Sequence, residues 1–277
     1  MAKPIKEFYE YIQSGESSPL VNYEKSPACE FLRYAVDAKD AMNHCLKHFS
    51  TKKRGEYTKA SQDSLQIISA CLLAGIMGSF ETFQKYLFAN MFEYSIYLKD
   101  FDAKFFFEKL GKEASLRIEP YHIAAYRDNR TAIGLLIAES LNNWHSPDKV
   151  DKYFSCFQTG KLKRSLYSNE IQDNLRILWQ MRHSIVHTAC TITIPDAQKV
   201  KQLNAFGNNT ICLQKNFIQE VVRKFHIIIR DVTYNMRDMF LANLKDNIDE
   251  STKRKIENVF KVSSSCSVWL QNKDENN

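Results

Sequence analysis

One run of apolar residues constrains this chain more than any other feature. Leu65, Ile68, Leu72, Ile76, Phe80, Phe83, Leu87 and Met91 recur at intervals of three and four, the spacing that lines one face of an α-helix. A stripe of that length needs roughly seven turns of helix, so the fold must be built around one long rod. Gly75 and Gly78 weaken the rod locally and permit a bend or a close helix crossing. Its most apolar part, Ile67 to Phe80, includes two Ser and two Gly and is shorter than the ~20 residues a bilayer requires. It reads as a core helix, not a membrane span.

The rest of the chain follows the same period. Ser26-Pro27 pairs an N-cap residue with a first-turn proline and opens a helix to about Phe49, with Phe31, Tyr34, Ala35, Ala38 and Met42 on one face. A short Phe-rich helix is expected over Phe101 to Leu110, further helix over Arg130 to Trp144, and another after Ser146-Pro147-Asp148. A helix starting at Ser168 or Asn169 ends near His187. A last long one, from about Lys215 to Leu244, carries Phe217, Val221, Phe225, Ile228, Val232 and Met236. Between these two, the β-branched run Thr188 to Ile194 and the segment Thr210 to Leu213 flank a turn at Phe206 to Asn209 and predict a pair of short strands. Only eight Gly and six Pro occur in 277 residues, against an average near 12% for the two together. That scarcity argues for long helices and few loops. The expectation is an all-α bundle with a short two-stranded insertion: an N-terminal arm over 1–25, a helical domain over 26–262 and a frayed tail over 263–277.

Several function classes are excluded. There is no Gly-x4-Gly-Lys-Ser/Thr and no Gly-x-Gly-x-x-Gly, so nucleotide- or dinucleotide-dependent chemistry has no support, and no cofactor is expected. The net charge of +6 is compatible with nucleic acid without demanding it. The basic runs Lys52-Lys53-Arg54, Lys161 to Arg164 and Lys253-Arg254-Lys255 read first as solvated faces or loops. Seven scattered Cys lack Cys-x-x-Cys spacing, and Met1-Ala2-Lys3-Pro4 opens no apolar leader. Reduced thiols in a cytoplasm are therefore expected.

The chemistry concentrates in Arg182-His183-Ser184-Ile185-Val186-His187. On a helix with Ile171 as origin, Ile171, Leu175, Leu178, Met181 and Ile185 share one stripe, and Arg182 falls inside it. His183 and His187 stack four apart on its flank. Basic residues in the last turns complement the negative end of the helix dipole, each for ~0.3–1 kcal/mol, which would place all three. A guanidinium beside imidazoles is equally a means of holding a phosphate and moving a proton.

Arg, a polar residue, three further residues and then His resembles the Arg-x4-6-His signature of the HEPN superfamily of small helical proteins, many of them metal-independent ribonucleases of toxin–antitoxin and phage-defence systems. Ser79-Phe80-Glu81-Thr82-Phe83 resembles the apolar-flanked acidic position on the first long helix of several such families. Thr191 to Pro195 and Asn209 to Leu213 look like the short extended pair of the RiboL-PSP-related subgroup. The likeness spans roughly Gln62 to Phe240. Families modified by a nucleotidyltransferase antitoxin carry Tyr two residues after the motif His; this chain has Ala189. The resemblance implies an endoribonuclease acting as a toxin or abortive-infection effector, with a site shared across a homodimer. It further implies Arg182 and His187 as catalytic, His183 as orienting, Glu81 as the group holding Arg182, RNA as substrate, and an antitoxin or regulatory partner. A non-catalytic HEPN-like module, binding RNA or nucleotide or serving dimerisation, is the alternative.

Other chemistry fits less well. His183 and His187, or His44 and His48, each supply half of a zinc site, without further ligands nearby in sequence. Cys190 lies on the extended segment after His187, and Ser184 lacks the strained turn a nucleophilic serine needs. The rings of Phe105, Phe106, Phe107, Phe154 and Phe157 read as core, not as a base-stacking platform.

Overall fold

The computed structural model describes residues 18–53, 55–114, 133–157 and 165–262, with 12, 13, 15, 123 and 124. The helix start expected at Arg130, the basic run 161–164 and the tail from Ser263 lie outside them.

Over the described residues the chain is mostly helical, with a small two-stranded antiparallel sheet. In order come α1 (Leu20–Lys25), α2 (Pro27–His48), α3 (Lys59–Tyr94), α4 (Ala103–Glu113), α5 (Ile133–Ser140), α6 (Pro147–Ser155) and α7 (Asn169–His187). Then follow β1 (Thr191–Ile192), α8 (Ile194–Gln198), a 3-10 segment (Lys201–Phe206), β2 (Asn209–Thr210), α9 (Phe217–Ala242) and α10 (Glu250–Val259).

The expected rod is α3, capped by the Thr58 hydroxyl, which accepts from Ser61 N at 3.2 Å. Ile76, Phe80, Phe83, Leu87 and Met91 are buried; Ile68 and Leu72 are half-buried at the less covered end. From Phe83 to Met91 nearly every side chain is buried, because α2, α5, α7 and α9 pack around the rod. α3 is long and apolar enough to cross a membrane, and 39% of its most apolar window is buried within the protein. Phe31 of α2, Phe80 of α3 and Phe225 of α9 meet within 5.6 Å of one another, centroid to centroid. Burial of each such ring contributes roughly 1.5–3 kcal/mol.

Two glycines set close crossings. Tyr34 of α2 is 41% exposed, not core as its place in the stripe suggested. Its hydroxyl presses on Gly75, where any Cβ would collide. Gly134 of α5 sits directly against the Ala89 backbone carbonyl, and Gly134 N donates to Glu93 Oε1 at 2.5 Å. Gly78 faces open space.

Elsewhere the differences from expectation have local causes. In α4, Phe106 is buried while Phe105 and Phe107 are exposed, since a helix on a surface hides one ring of three consecutive residues. α1 is part of the packed body, with Tyr23 buried against Tyr86. α10 was not foreseen: only Ile256 and Val259 anchor it, with Phe260 just beyond, and Asp249 caps it by accepting from Thr252 N. Its Lys253, Arg254 and Lys255 are solvated. Pro195 does not merely end the extended run; it stands in the first turn of α8, capped by Thr193.

Two outcomes follow from this packing. Gly134→Ala drives a methyl into a backbone carbonyl and is expected to cost about 1–3 kcal/mol, whereas Gly78→Ala should gain about 0.5–1 kcal/mol; urea unfolding of both variants checks the contrast. His226 of α9 is buried with neither ring nitrogen hydrogen-bonded. Burial, aided by Arg230, holds its imidazole below the ordinary range. The unfolded chain, with an ordinary value of ~6.5, takes up that proton first, so stability is lost as the pH falls below that value. Melting between about pH 7.5 and 5.5 should show this slope, and His226→Leu should flatten it; an unchanged slope rejects the assignment.

Candidate functional site

The helix that carries the motif is fixed at both ends. The Ser168 hydroxyl caps α7 by accepting from Ile171 N at 3.3 Å. Arg176 ties it to α6 by donating to Asp148 at 2.6 Å, while also reaching Asp173 at 2.6 Å on its own helix. Leu175, Leu178, Trp179 and Met181 are buried, and Trp179 lies 6.4 Å from Phe80 of α3, centroid to centroid. At the C-terminus the Ser184 carbonyl accepts from Thr188 N, Cys190 N and the Thr188 hydroxyl at 3.0–3.1 Å. Ala189 and Cys190 then take left-handed φ of 50° and 63°, a conformation non-Gly residues seldom adopt. That reversal lays β1 against β2, Thr191 opposite Thr210 and Ile192 opposite Asn209. Gln66 of α3 clamps the following segment by donating to Leu213 O and accepting from Leu213 N at 2.6 and 2.7 Å.

On this scaffold the motif residues separate into two environments. His183 and His187 are exposed, their rings 4.8 Å apart and tilted by 44°. Arg182 is half-buried, with its Nε out of contact with water and without a hydrogen-bond partner. Ser184 is fully buried and its hydroxyl is unbonded, which removes it from any reaction at the surface. Trp179 Nε1 and Gln180 Nε2 are likewise buried donors without acceptors. Four unmet polar groups on one helix are unusual, since each costs about 1–3 kcal/mol when left so.

Glu81 does not hold Arg182. Its carboxylate pairs with Lys85 at 2.6 Å. An ammonium one turn along the same helix reaches Glu81 with little loss of freedom, so the expected cross-helix pair is replaced by a local one. The acid near the motif is Asp196 instead. It is buried, and its Oδ2 lies 4.0 Å from His183 Nε2. Lys199 Nζ donates to Oδ1 at 2.7 Å and the Thr193 hydroxyl to Oδ2 at 2.9 Å. Bonding to Lys199, then to Thr193, and the nearby His183 hold its carboxyl below the usual carboxylate range.

The remaining candidates stand apart. Burial pushes the Cys190 thiol up, away from the thiolate a nucleophile needs. The six described cysteines are unpaired. His44 and His48 form an exposed ring pair 4.4 Å apart on α2. Among the described residues no group of three or more His, Cys, Asp or Glu converges as metal ligands. A cleft of ≈ 920 Å³ runs between α1, α2 and α10, lined by Glu30, Arg33, Lys255 and Lys261 among others; no motif residue borders it. A groove of ≈ 220 Å³ beside Ile185 and Cys190 is almost wholly apolar. Arg182, His183 and His187 line neither; the two imidazoles lie on an open surface.

No known family model, no curated protein and no solved structure matches the chain.

These positions separate bystanders from participants. Ser184→Ala removes an unbonded buried hydroxyl and should leave stability within about 1 kcal/mol. Glu81→Gln breaks only a partly exposed pair, for about 0–1 kcal/mol. Neither should alter any activity of the motif; a loss of function in either, with thermal stability intact, contradicts this placement.

Proposed function

We propose that the chain is a metal-independent endoribonuclease of the HEPN type, resembling the RiboL-PSP-related families and serving as a toxin or abortive-infection effector. The observation that carries this reading is the state of α7. Among the described residues, the Arg182 Nε donor is left unmet beside two solvent-facing imidazoles, and no carboxylate pairs with the guanidinium. An anion is the simplest partner for such a set.

Cleavage needs no cofactor. The ribose 2′-OH attacks the adjacent phosphorus, the bond to the 5′-oxygen breaks, and the products are a 2′,3′-cyclic phosphate and a 5′-OH. His187 serves as general base or acid, Arg182 balances charge on the phosphorane oxygens, and His183 orients. On one helix Arg182 and His187 point about 140° apart. Two copies of α7 meeting across a two-fold axis would bring the guanidinium of one to the imidazole of the other. Val186 and Ile194, both 49% exposed, offer apolar surface for that contact. RNA, a second copy of the chain and an antitoxin or other regulatory protein are the proposed partners, in the cytoplasm and away from membranes.

The open position of the imidazoles, outside the described cavities, favours a second reading: a non-catalytic HEPN-like module that binds RNA or nucleotide, or dimerises, to regulate a partner protein.

Incubating the purified chain with total RNA in EDTA and analysing the new ends separates the two. The expected result is 2′,3′-cyclic phosphate ends from a dimer. His187→Ala should lower cleavage by ~10²–10⁴-fold and Arg182→Ala by ~10²–10³-fold, with dimerisation retained. Intact RNA, activity restored only by zinc or manganese, or full cleavage by His187→Ala each rejects the ribonuclease reading. RNA binding without cleavage favours the module.

A further inference from the structure

The acid that sequence reading overlooked gives the two imidazoles different surroundings. His183 Nε2 lies 4.0 Å from a buried carboxylate; His187, the last residue of α7, has no hydrogen bond or ion pair among the described residues beyond its ring contact with His183. Asp196 is held from both sides: Lys199 fixes Oδ1, and Thr193 fixes Oδ2 through its hydroxyl. Thr193 also caps α8 by accepting from Asp196 N at 3.3 Å. The carboxylate is therefore set in place before any substrate arrives. At 4.0 Å the carboxylate makes no hydrogen bond to the ring, but its fixed negative charge favours a proton on the nearer nitrogen, leaves the other lone pair free and stabilises the imidazolium.

We propose that His183 is the general base of the reaction, positioned by Asp196, and that His187 is the general acid. This rests on the ribonuclease reading above and divides the labour within it, giving His183 the base role in place of an orienting one. His183 starts neutral, with Nε2–H toward Asp196. Its Nδ1 takes the proton of the 2′-OH as the 2′-oxygen bonds to phosphorus. The imidazolium so formed is balanced by Asp196. As the bond from phosphorus to the 5′-oxygen breaks, the His187 imidazolium gives its proton to that oxygen. One proton is gained and one lost, and exchange with water returns both rings to their starting forms. The entering and leaving oxygens flank a single phosphorus, so two imidazoles with centroids 4.8 Å apart can serve one on each. Asp196 touches no substrate; it is a positioning residue and acts through His183. Lys199 and Thr193 keep it charged and still.

Two substrates separate the roles: a ribodinucleotide with a poor alkoxide leaving group, and a nucleoside 3′-(4-nitrophenyl phosphate), whose phenolate departs without an acid. On the dinucleotide, His183→Ala and His187→Ala should each lose ~10²-fold or more in kcat. Asp196→Asn should lose at least ~10-fold in kcat with KM little changed, and Asp196→Glu should recover part of that loss. On the aryl ester, His187→Ala should return to within about tenfold of wild type, while His183→Ala and Asp196→Asn stay impaired. Thermal melting accompanies each variant. If Asp196→Asn does not fold, the contrast between His183→Ala and His187→Ala decides alone, since both side chains are exposed. Rescue of His183→Ala in place of His187→Ala, or a folded Asp196→Asn with wild-type kcat, overturns the assignment. A wild-type chain that cleaves neither substrate nor total RNA rejects the ribonuclease reading itself. Wild-type cleavage with equal rescue of both imidazole variants rejects only the division between them.

Discussion

Everything in this molecule is arranged about the enclosure of α3. Between Phe83 and Met91 the rod is buried nearly all round, and a helix with no solvated face needs neighbours on every side. α2, α5, α7 and α9 supply them. Because α3 is long, about 1.5 Å per residue, its two ends do different work. The Met91 end lies in the core, and the segment just beyond Tyr94 is tied to the end of α9 through Lys99 N to Asn243 O and Lys245 N to Tyr97 O, each 2.9 Å. The Leu65 end is less covered, and there Gln66 clamps the segment that follows β2. The small sheet and the C-terminus of α7 are thus tied to the longest element of the fold.

That arrangement explains why the motif helix is held in place while its last turn is open. Leu175 to Met181 pack inward against α3, as Trp179 and Phe80 show, and the remaining turn and a half emerges with His183 and His187 in solvent. The sharp reversal at Ala189 and Cys190 then sends the chain back along the same helix. α8 is short, but its first turn carries the only carboxylate that pairs with a motif histidine among the described residues.

Periodicity made the long elements legible. α2, α3, α7 and α9 each carry a stripe of four or more apolar residues, and each lies close to where its stripe places it. The short sheet was readable from β-branched residues on either side of a turn. α10 was not, because ten residues with two apolar anchors carry too little amphipathic signal; Asp249 as a cap was the one available cue. At the site, the placement of the two imidazoles on one flank follows from their spacing. The partner of His183 does not, since its approach depends on two left-handed residues that are not glycine and so leave no mark in sequence. Glu81 misled for the opposite reason: its position beside Phe80 was read correctly, but Lys85, one turn away, competes for it.

The unmet donors on α7 have a consequence for the energy of the whole chain. Among the described residues, Trp179 Nε1, Gln180 Nε2 and Arg182 Nε are buried without a hydrogen-bond partner, and a donor left so costs about 1–3 kcal/mol. Any molecule that meets even one of them binds the folded state and has no counterpart in the unfolded one. Occupancy and folding are then linked, with a gain that grows as the logarithm of ligand concentration over Kd.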